Sequence, residues 1–303
     1  HPQVHVVGWP QAPEPARSWP GPERVEASVD LLVLGVPAAR CAEVVRRCAR
    51  LRPHAVVVLS AGFAETGPEG LAHQRELLRA AHAVGARVLG PGSYGFLRHG
   101  QDDAPTVNAS LSARMPEPGR LGLLCQSAPM AVGLLASARR RGLGLSTFVS
   151  AGNRADVSGN DVLQYWDTDD DTDVVLLYLE SFGNPRKFGR IARRVASKKP
   201  IVAIKSGSGA MSPVHAQRSG PVRDDRVAQM VLEQAGVIQV ETISELFDCA
   251  TVLAYQPLPA GPRTAIVGNS SVIAALAANT AASSGLDVVS TVDLGPAVTR
   301  MEL

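Results

Sequence analysis

Two side chains of the 303-residue chain have the chemistry for a reactive imidazole and its carboxylate partner. Glu180 ends the apolar run Val174–Leu179, and His215 lies in Gly209–Gly220, a segment without periodicity. A carboxylate that accepts a hydrogen bond from one ring nitrogen fixes the tautomer of a histidine and raises its basicity. The residues alone leave two simpler interpretations open: a solvated strand end for Glu180 and a solvated loop for His215.

Turns of small residues follow three predicted strands in the first third of the chain. Small residues let a nucleotide-like ligand approach the backbone, and such ligands bind beyond the carboxyl ends of parallel strands. Turns of this kind are rich in Gly and Pro in any case, so spacing alone leaves an ordinary turn open as the alternative. The three turns are Pro37-Ala38-Ala39, Ser60-Ala61-Gly62-Phe63 and Gly90-Pro91-Gly92-Ser93-Tyr94-Gly95.

Two later turns could hold an anion. Gln126-Ser127-Ala128-Pro129 follows a predicted strand and places a hydroxyl and a proline where a helix would start. The free N–H groups and the dipole of a helix start favour an anion, although the same residues suit a plain helix cap. In Ser150–Asp156, small residues such as Gly152 permit close backbone approach, and Asn153 and Asp156 could fix the loop.

Short apolar runs alternate with amphipathic stretches along most of the chain. Most runs are apolar without alternation, which is typical of strands buried on both faces of a parallel sheet. The order of strands and helices predicts doubly wound α/β domains with parallel sheets. Strands are predicted at Val4–Gly8, Leu31–Val36, Ala55–Leu59, Ala86–Leu89, Leu121–Cys125, Leu145–Val149, Val174–Leu179, Ile201–Lys205 and Thr264–Gly268. Helices are predicted near 39–51, 68–84, 129–141, 185–197, 222–235, 241–255 and 271–284.

Two polar segments rich in Pro and Gly interrupt this pattern. Residues 97–120 have no periodicity and are predicted to be a linker or a long excursion between domains, and Gln256–Pro262 forms a second seam. We therefore expect three units, at about residues 1–118, 119–257 and 258–303. The last is too small for a core of its own, and the chain begins without Met, so a piece of a longer protein is expected.

Composition excludes several classes of function. The net charge of +2 and the aromatic content of 4% provide neither the basic surface nor the stacking platforms of nucleic-acid binding. No apolar run approaches the roughly 18 residues of a membrane span, and no signal peptide opens the chain, so we expect a cytoplasmic protein without membrane association.

No metal site is predicted, because zinc spacings are missing and the acidic run 166–173 lacks the pattern of a calcium loop. Cys41 and Cys48 share one helical stripe and are expected to be core residues.

Taken together, the turns and strands resemble a known family, the NDP-forming acyl-CoA synthetases, which are related to the α subunit of succinyl-CoA synthetase. Each piece is weak alone, but the pieces recur in the order of the family across about residues 20–255. The resembling segments are Val33–Ala38, Val58–Thr66, Val88–Gly95, Val107–Ser110, Gly122–Met130, Phe148–Val157, Val175–Glu180, Pro200–Gly207 and Gln234–Val240.

The resemblance implies a Rossmann-like CoA-binding domain, N-terminally incomplete here, followed by a flavodoxin-like succinyl-CoA-ligase domain and the start of a third α/β domain. Family members convert acyl-CoA, phosphate and NDP reversibly to free acid, CoA and NTP. His215 would be the phosphorylated histidine and Glu180 its orienting partner. ATP or ADP and Mg would bind only to an ATP-grasp domain or subunit, which is absent from this chain. By resemblance, CoA or acyl-CoA would contact Pro37, Ala38, Ser60, Ala61, Gly62, Phe63, Pro91, Gly92 and Ser93, and phosphate would contact Gln126, Ser127, Ala128, Gly152 and Asn153.

Three departures from the family pattern fall near the expected phosphate and CoA sites. Gly92-Ser93 replaces Asn-Cys, Cys125-Gln126-Ser127-Ala128 replaces Ser-Gln-Ser-Gly, and His215 is flanked by Val214 and Ala216-Gln217 instead of standing in Ser-His-Thr-Gly. The second change adds a Cβ where phosphate would approach.

These departures favour a regulatory module that binds CoA or acyl-CoA at a degenerate phosphate centre, as in proteins fused to a GNAT-type acetyltransferase. The alternative is a catalytic ligase half that works through phospho-His215 with an ATP-grasp partner. A third interpretation is a subunit-contact scaffold that has lost both functions. We also expect a homo-oligomer.

Overall fold

The structure of the chain, a computed structural model, describes residues 4–7, 17–100, 105–206, 225–257 and 259–293. The chain divides into two units, residues 1–255 and 256–303. His215 lies outside the described residues, so the expected partnership with Glu180 stays a prediction.

Strands and helices alternate along the described chain. The strands are β1 (His5–Val7), β2 (Arg17–Trp19), β3 (Leu31–Leu34), β4 (Ala55–Val58), β5 (Arg87–Leu89), β6 (Gly95–Arg98), β7 (Val107–Ser110), β8 (Pro118–Cys125), β9 (Leu145–Ser150), β10 (Val174–Leu179), β11 (Ile201–Lys205), β12 (Ile238–Gln239), β13 (Arg263–Gly268) and β14 (Asp287–Asp293). The helices are α1 (Ala38–Arg47), α2 (Pro68–Ala83), α3 (Ala128–Arg140), α4 (Gly159–Thr168), α5 (Pro185–Ala196), α6 (Asp225–Gln234), α7 (Ile243–Tyr255) and α8 (Ser271–Ser283).

A three-stranded parallel sheet with the order β3-β4-β5 carries the first set of small-residue turns. One face of the sheet packs against α1 and α2, where Cys41 and Leu77 are fully buried. On the other face, Val57 and Leu89 share a core cluster with residues of the second sheet. Strands β1 and β2 pair in parallel as a separate two-stranded sheet.

The second sheet has seven strands in the order β12-β11-β10-β8-β9-β6-β7. Its five parallel strands follow the flavodoxin-like order 2-1-3-4-5, in which the strand order reverses between the first and third strands, here β8 and β10. Helices α3 and α7 cover one face, and α4, α5 and α6 cover the other. Strands β6 and β7 extend the sheet in antiparallel fashion beyond β9.

These observations confirm the α/β class with mostly parallel sheets. The bounds of β10 and β11 coincide with the predicted runs, and α5 ends one residue before its predicted end. Residues 97–120 were expected to be a linker or a long excursion between domains, but they contain the end of β6, all of β7 and the start of β8, so these parts are regular strands. Strand β7 is a half-exposed edge strand, so it needs no regular apolar pattern. The domain boundary near residue 118 stays a prediction.

Helix α4 was not predicted, because its first three residues have no apolar side chain and its end enters the acidic run. Trp166 on this helix is fully buried, and an added Cβ at Gly122 of β8 would lie 2.5 Å from its ring. Two carboxylates of the acidic run form salt bridges with basic side chains: Asp167 with Arg194 and Lys198, and Asp173 with Arg120.

Residues 256–303 form the smaller unit, in which β13 and β14 pair in parallel and α8 connects them. The predicted strand and helix in this unit are both present. Over the whole described part of the chain, no helix is long and apolar enough to cross a membrane. All four cysteines are free, and Cys41 and Cys48 are buried as expected.

Candidate functional site

The predicted phosphate residues gather at the carboxyl ends of β8, β9 and β10, where open parallel sheets bind ligands. Gln126 follows β8, the loop from Ala151 to Arg154 follows β9, and Glu180 follows β10. The reversal of strand order between β8 and β10 opens a crevice at this edge. The topology therefore brings residues from three separate stretches of the chain to one place.

The side chain of Gln126 clamps the turn that carries Glu180. Its Oε1 accepts hydrogen bonds from the backbone N–H of Glu180 at 2.7 Å and of Ser181 at 3.0 Å, and its Nε2 donates to the Ser181 carbonyl at 3.0 Å. Gln126 is only 5% exposed. These three bonds use most of the hydrogen-bonding groups of the side-chain amide. Gln126 therefore fixes the backbone of Glu180, and Glu180 itself is half-buried at the end of β10.

Helix α3 begins at this edge without a side-chain cap. Ser127 is the N-cap residue in an extended conformation, and its hydroxyl makes no bond to the first turn. Pro129 contributes no N–H. The first N–H groups of a helix have no partner within it, so the amides of Ala128 and Met130 suit an anion. By contrast, α4 has a capping box from Ser158 and Asp161.

Cys125, where the family has serine, is a buried thiol. Its Sγ lies 3.0 Å from the Ser127 carbonyl oxygen, and burial raises its pKa to about 12. The thiol is therefore neutral at physiological pH and is no nucleophile. Its place beneath the start of α3 makes it a packing residue in this chain.

The predicted CoA turns lie at the carboxyl edge of the three-stranded sheet. Pro37 and Ala38 start α1, and the Ser60 hydroxyl donates to the Val36 carbonyl at 2.5 Å. Gly62 has a positive φ of 99°, which favours glycine. Phe63 is fully buried in the core, so only its backbone lies in the turn.

The turn from Pro91 to Ser93 packs directly against the loop after β9. The Ser93 hydroxyl, 1% exposed, donates to the Ser150 carbonyl at 2.5 Å, and the Asn153 N–H donates to the Pro91 carbonyl at 2.8 Å. An added Cβ at Gly152 would overlap the Pro91 carbonyl oxygen, so this close approach requires glycine. Gly152 and Asn153 are predicted phosphate residues at the carboxyl edge of the second sheet, and they also pack against the predicted CoA turn at Pro91.

Glu65 joins the two sets of turns. One carboxylate oxygen accepts from the N–H groups of Gly62 and Phe63 at 2.7 and 3.2 Å, and the other accepts from the Asn153 amide. Burial by itself would raise the pKa of Glu65, but the hydrogen bonds, led by that of Asn153, outweigh it and lower the pKa. The carboxylate therefore stays ionised and holds the Ser60–Phe63 turn against the Asn153 loop.

Asp156 forms a second bridge between the sheets. It accepts from Arg87 Nε at 2.8 Å and from the Val88 N–H at 2.8 Å, and His82 Nε2 lies 3.4 Å away. Burial would raise the pKa of this carboxyl, but the bonds from Arg87 and Val88 hold it below its ordinary value. The sequence-based expectation that Asp156 fixes its loop is confirmed.

A cavity of about 340 Å³ opens beside this network. It is bounded by the ends of β8 and β10 and by the first turns of α4 and α5. Gln126 and Asn153 line it together with Arg154, Asn160 and Lys187, and its apolar walls are Leu124, Leu179, Phe182 and Phe188.

Two family models match this chain. Residues 10–99 match the CoA binding domain, and residues 118–253 match the succinyl-CoA ligase like flavodoxin domain. The chain is 36% identical over 240 residues to the ADP-forming acetate–CoA ligase I of Archaeoglobus fulgidus, covering 78% of this chain and 34% of that protein. It is 33% identical over 260 residues to the α subunit of the ADP-forming acetate–CoA ligase I of Pyrococcus furiosus, covering 85% of this chain and 55% of the subunit.

The fold agrees with these matches. A solved dinucleotide-forming acetyl-coenzyme A synthetase 1 of Ca. Korarchaeum cryptofilum, in complex with phosphate and ADP, superimposes with a TM-score of 0.85 and 28% identity. The match covers 94% of this chain and 61% of that one. The chain belongs to the ADP-forming acyl-CoA synthetase family. It spans about a third to a half of the length of the two curated relatives named above.

The family resemblance located the turns but missed residues that connect them. Glu65, Arg154 and Ser181 were not singled out as site residues, although each bonds to a predicted one or to its neighbour. Glu65 lies within the resembling segment Val58–Thr66, but the resemblance assigned it no role. Arg154 has a positive φ of 56°, unusual for a residue with a Cβ, and only the structure reveals this.

Proposed function

We propose that this chain is the CoA- and acyl-CoA-binding part of an ADP-forming acyl-CoA synthetase-like protein, with a regulatory role. The observation that carries the proposal is the Glu65 bridge. It ties a small-residue turn of the first sheet to the loop after β9, so a CoA molecule on the first sheet would present its thioester to the second.

The regulatory role is supported by the start of α3. Cys125 is neutral and buried, and Ala128 starts the helix where the family pattern has glycine. Pro129 removes one N–H that would otherwise meet a phosphate. A helix start with fewer N–H donors stabilises the charge of a phosphoryl group less well, which disfavours phosphate transfer here. In this version, binding of CoA regulates a GNAT-type acetyltransferase domain. We also expect self-association and a cytoplasmic location.

Binding is tested by titration calorimetry of the chain with CoA and acetyl-CoA. Ala61 is exposed on the predicted CoA turn, so Ala61→Glu adds a negative charge there without disturbing the core. We expect saturable binding that Ala61→Glu weakens at least about tenfold, because like charges repel the phosphates of CoA.

The matched control is Ala83→Glu. Ala83 is also exposed, but it ends α2 at the opposite edge of the same sheet. The control should bind like the unmodified chain. Equal weakening by both substitutions, or no heat with any CoA species, contradicts the proposed function.

The alternative candidate is the catalytic ligase half. It is favoured by the clamp of Gln126 on the backbone of Glu180, which fixes the turn that carries this carboxylate at the same sheet edge as the uncapped start of α3. In this version, His215 accepts a phosphoryl group and returns it to NDP on an ATP-grasp partner that binds Mg. Incubation with such a partner and γ-labelled ATP should label the chain but not His215→Ala, and Glu180→Gln should reduce the label. No label on the unmodified chain rejects this alternative.

A further inference from the structure

All four lysines of the chain fall within residues 187–205, although the chain has 30 basic residues in all. Three of the four have a hydrogen-bond partner for the ammonium group. Lys198 donates to the Asp167 carboxylate at 2.7 Å, and Lys199 and Lys205 donate to backbone carbonyls at 2.7 and 2.6 Å. Reaction of any of these three amines with an electrophile would disturb a bond that already exists, so none of them is the natural site of a modification.

The fourth lysine, Lys187, differs from the others. Its ammonium group bonds to nothing within the part of the chain that the structure describes. The residue is exposed and lines the cavity of about 340 Å³ beside Gln126. Its backbone is fixed, because its N–H donates to the Asn184 side chain at 3.1 Å and the next residue, Phe188, is buried. Helix α5 therefore sets the position of Lys187, while the amine remains available for reaction.

The same cavity reaches the turns where CoA is expected. Asn153 lines it, donates its backbone N–H to the Pro91 carbonyl at 2.8 Å and donates its side-chain amide to Glu65. Pro91 belongs to one predicted CoA turn, and Glu65 holds another through the N–H of Gly62. A thioester bound along these turns would lie at the border of the space that Lys187 lines.

Positive charge is already concentrated around this amine. Arg154 lines the cavity too, and Arg186 and Arg190 are exposed on α5 without a bond to any residue that the structure describes. The first turn of α5 is the positive end of the helix dipole, where a further cation is unfavourable. Acylation turns the ammonium into a neutral amide and removes one of these like charges. The surroundings of Lys187 therefore favour the acylated product.

We propose that Lys187 is an acylation site, at which the chain accepts the acyl group of its own bound acyl-CoA. The proposal rests on the proposed binding of acyl-CoA and adds a covalent modification to it. The neutral amine attacks the carbonyl carbon of the thioester, a C–N bond forms and the C–S bond breaks. CoA leaves as the thiolate and takes up the proton that the nitrogen loses. The products are the amide of Lys187 and free CoA, and no further reactant is needed.

Peptide mass spectrometry after incubation with acetyl-CoA tests the site, with a protease that does not cut at lysine. We expect Lys187 to be acetylated at least about tenfold faster than Lys198, because a bound thioester raises the local concentration of the electrophile at the cavity. Lys198 is the matched internal control, since it is also exposed but follows the other end of α5. Lys187→Arg should remove the fast-forming label.

The Ala61→Glu variant distinguishes transfer from the bound thioester from chance encounters in solution. This substitution lies on the predicted CoA turn and leaves the amine of Lys187 in place. Below saturation with acetyl-CoA, it should slow acetylation of Lys187 about tenfold, in step with the weaker binding. The N-hydroxysuccinimide ester of acetic acid, which needs no CoA site, should acetylate Lys187 equally in both chains.

Saturable binding of acetyl-CoA without faster acetylation of Lys187 than of Lys198 overturns the acylation site and leaves the proposed function standing. Equal rates at Lys187 in the unmodified chain and in Ala61→Glu, despite weaker binding by the variant, overturn it as well. Such a result would mean that Lys187 reacts with acetyl-CoA from solution. No binding of any CoA species in calorimetry removes both proposals at once.

Discussion

The clamp of Gln126 on the turn after β10 leads to a quantitative prediction. Gln126→Ala removes the acceptor of two partly buried N–H groups, those of Glu180 and Ser181. The Ser181 carbonyl keeps a partner, because Arg154 donates to it at 2.8 Å. Each orphaned amide costs about 1–3 kcal/mol, and water from the adjacent cavity reduces that cost. We therefore expect a local loss of about 2–4 kcal/mol.

Amide hydrogen exchange measures this loss where it occurs. A loss of about 2–4 kcal/mol corresponds to exchange about 30- to 1000-fold faster at Glu180 and Ser181. Amides in the middle of β10, such as that of Leu176, should accelerate far less, because their ladder bonds to β8 and β11 remain. Gln126→Glu keeps an acceptor for both amides and should show a smaller acceleration.

Gln229→Ala serves as the control, because Gln229 lies on an exposed face of α6 and bonds, within the described residues, only to Glu233. It should change exchange at the clamp by less than about twofold. Unchanged protection of Glu180 and Ser181 in Gln126→Ala would refute the reasoning. It would mean that the turn keeps its conformation without the glutamine.

Three further predictions concern packing, charge and reactivity. Gly152→Ala forces a Cβ onto the Pro91 carbonyl at a positive φ of 54°, and urea unfolding should show a loss of about 2–4 kcal/mol. The lowered pKa of Asp156 means that its stabilisation is complete above the ordinary carboxyl pKa of 3.8 and disappears as the pH falls through the lower folded value. The difference in unfolding free energy between the unmodified chain and Asp156→Asn should therefore shrink between pH 6 and pH 2. Cys125, with a pKa of about 12, should resist iodoacetamide at pH 8 in the native state and react after unfolding, as peptide mass spectrometry would show.

The clamp and the two carboxylate bridges together explain how this edge of the fold is held. Glu65 and Asp156 connect the first sheet to the loop after β9, and Gln126 connects β8 to the turn after β10. A ligand that spans both sheets would meet turns that are already ordered, so less conformational entropy is lost on binding. Disturbing one bridge should therefore weaken ligand binding even when no ligand contact is removed.

Much of the fold could be predicted because its strands are buried on both faces. The runs at β10 and β11 are continuous and apolar, so their ends are visible in the sequence. Strand β7 and helix α4 could not be predicted in this way. The first is a half-exposed edge strand, and the second has only a short apolar face, formed by Val162, Leu163 and Trp166.

For the site, the residue types and their order along the chain located the small-residue turns and the start of α3. What the sequence determined is local: which runs are apolar, which turns are small, and where a hydroxyl or a proline precedes a helix. Only the tertiary structure decided that Glu65 bonds to Asn153, that Arg87 bonds to Asp156, and that Gln126 spans to Ser181. These partners are 88, 69 and 55 residues apart, and their meeting depends on strand order and on the packing of one sheet against another. Periodicity reports which face of an element is buried but not which element lies against it.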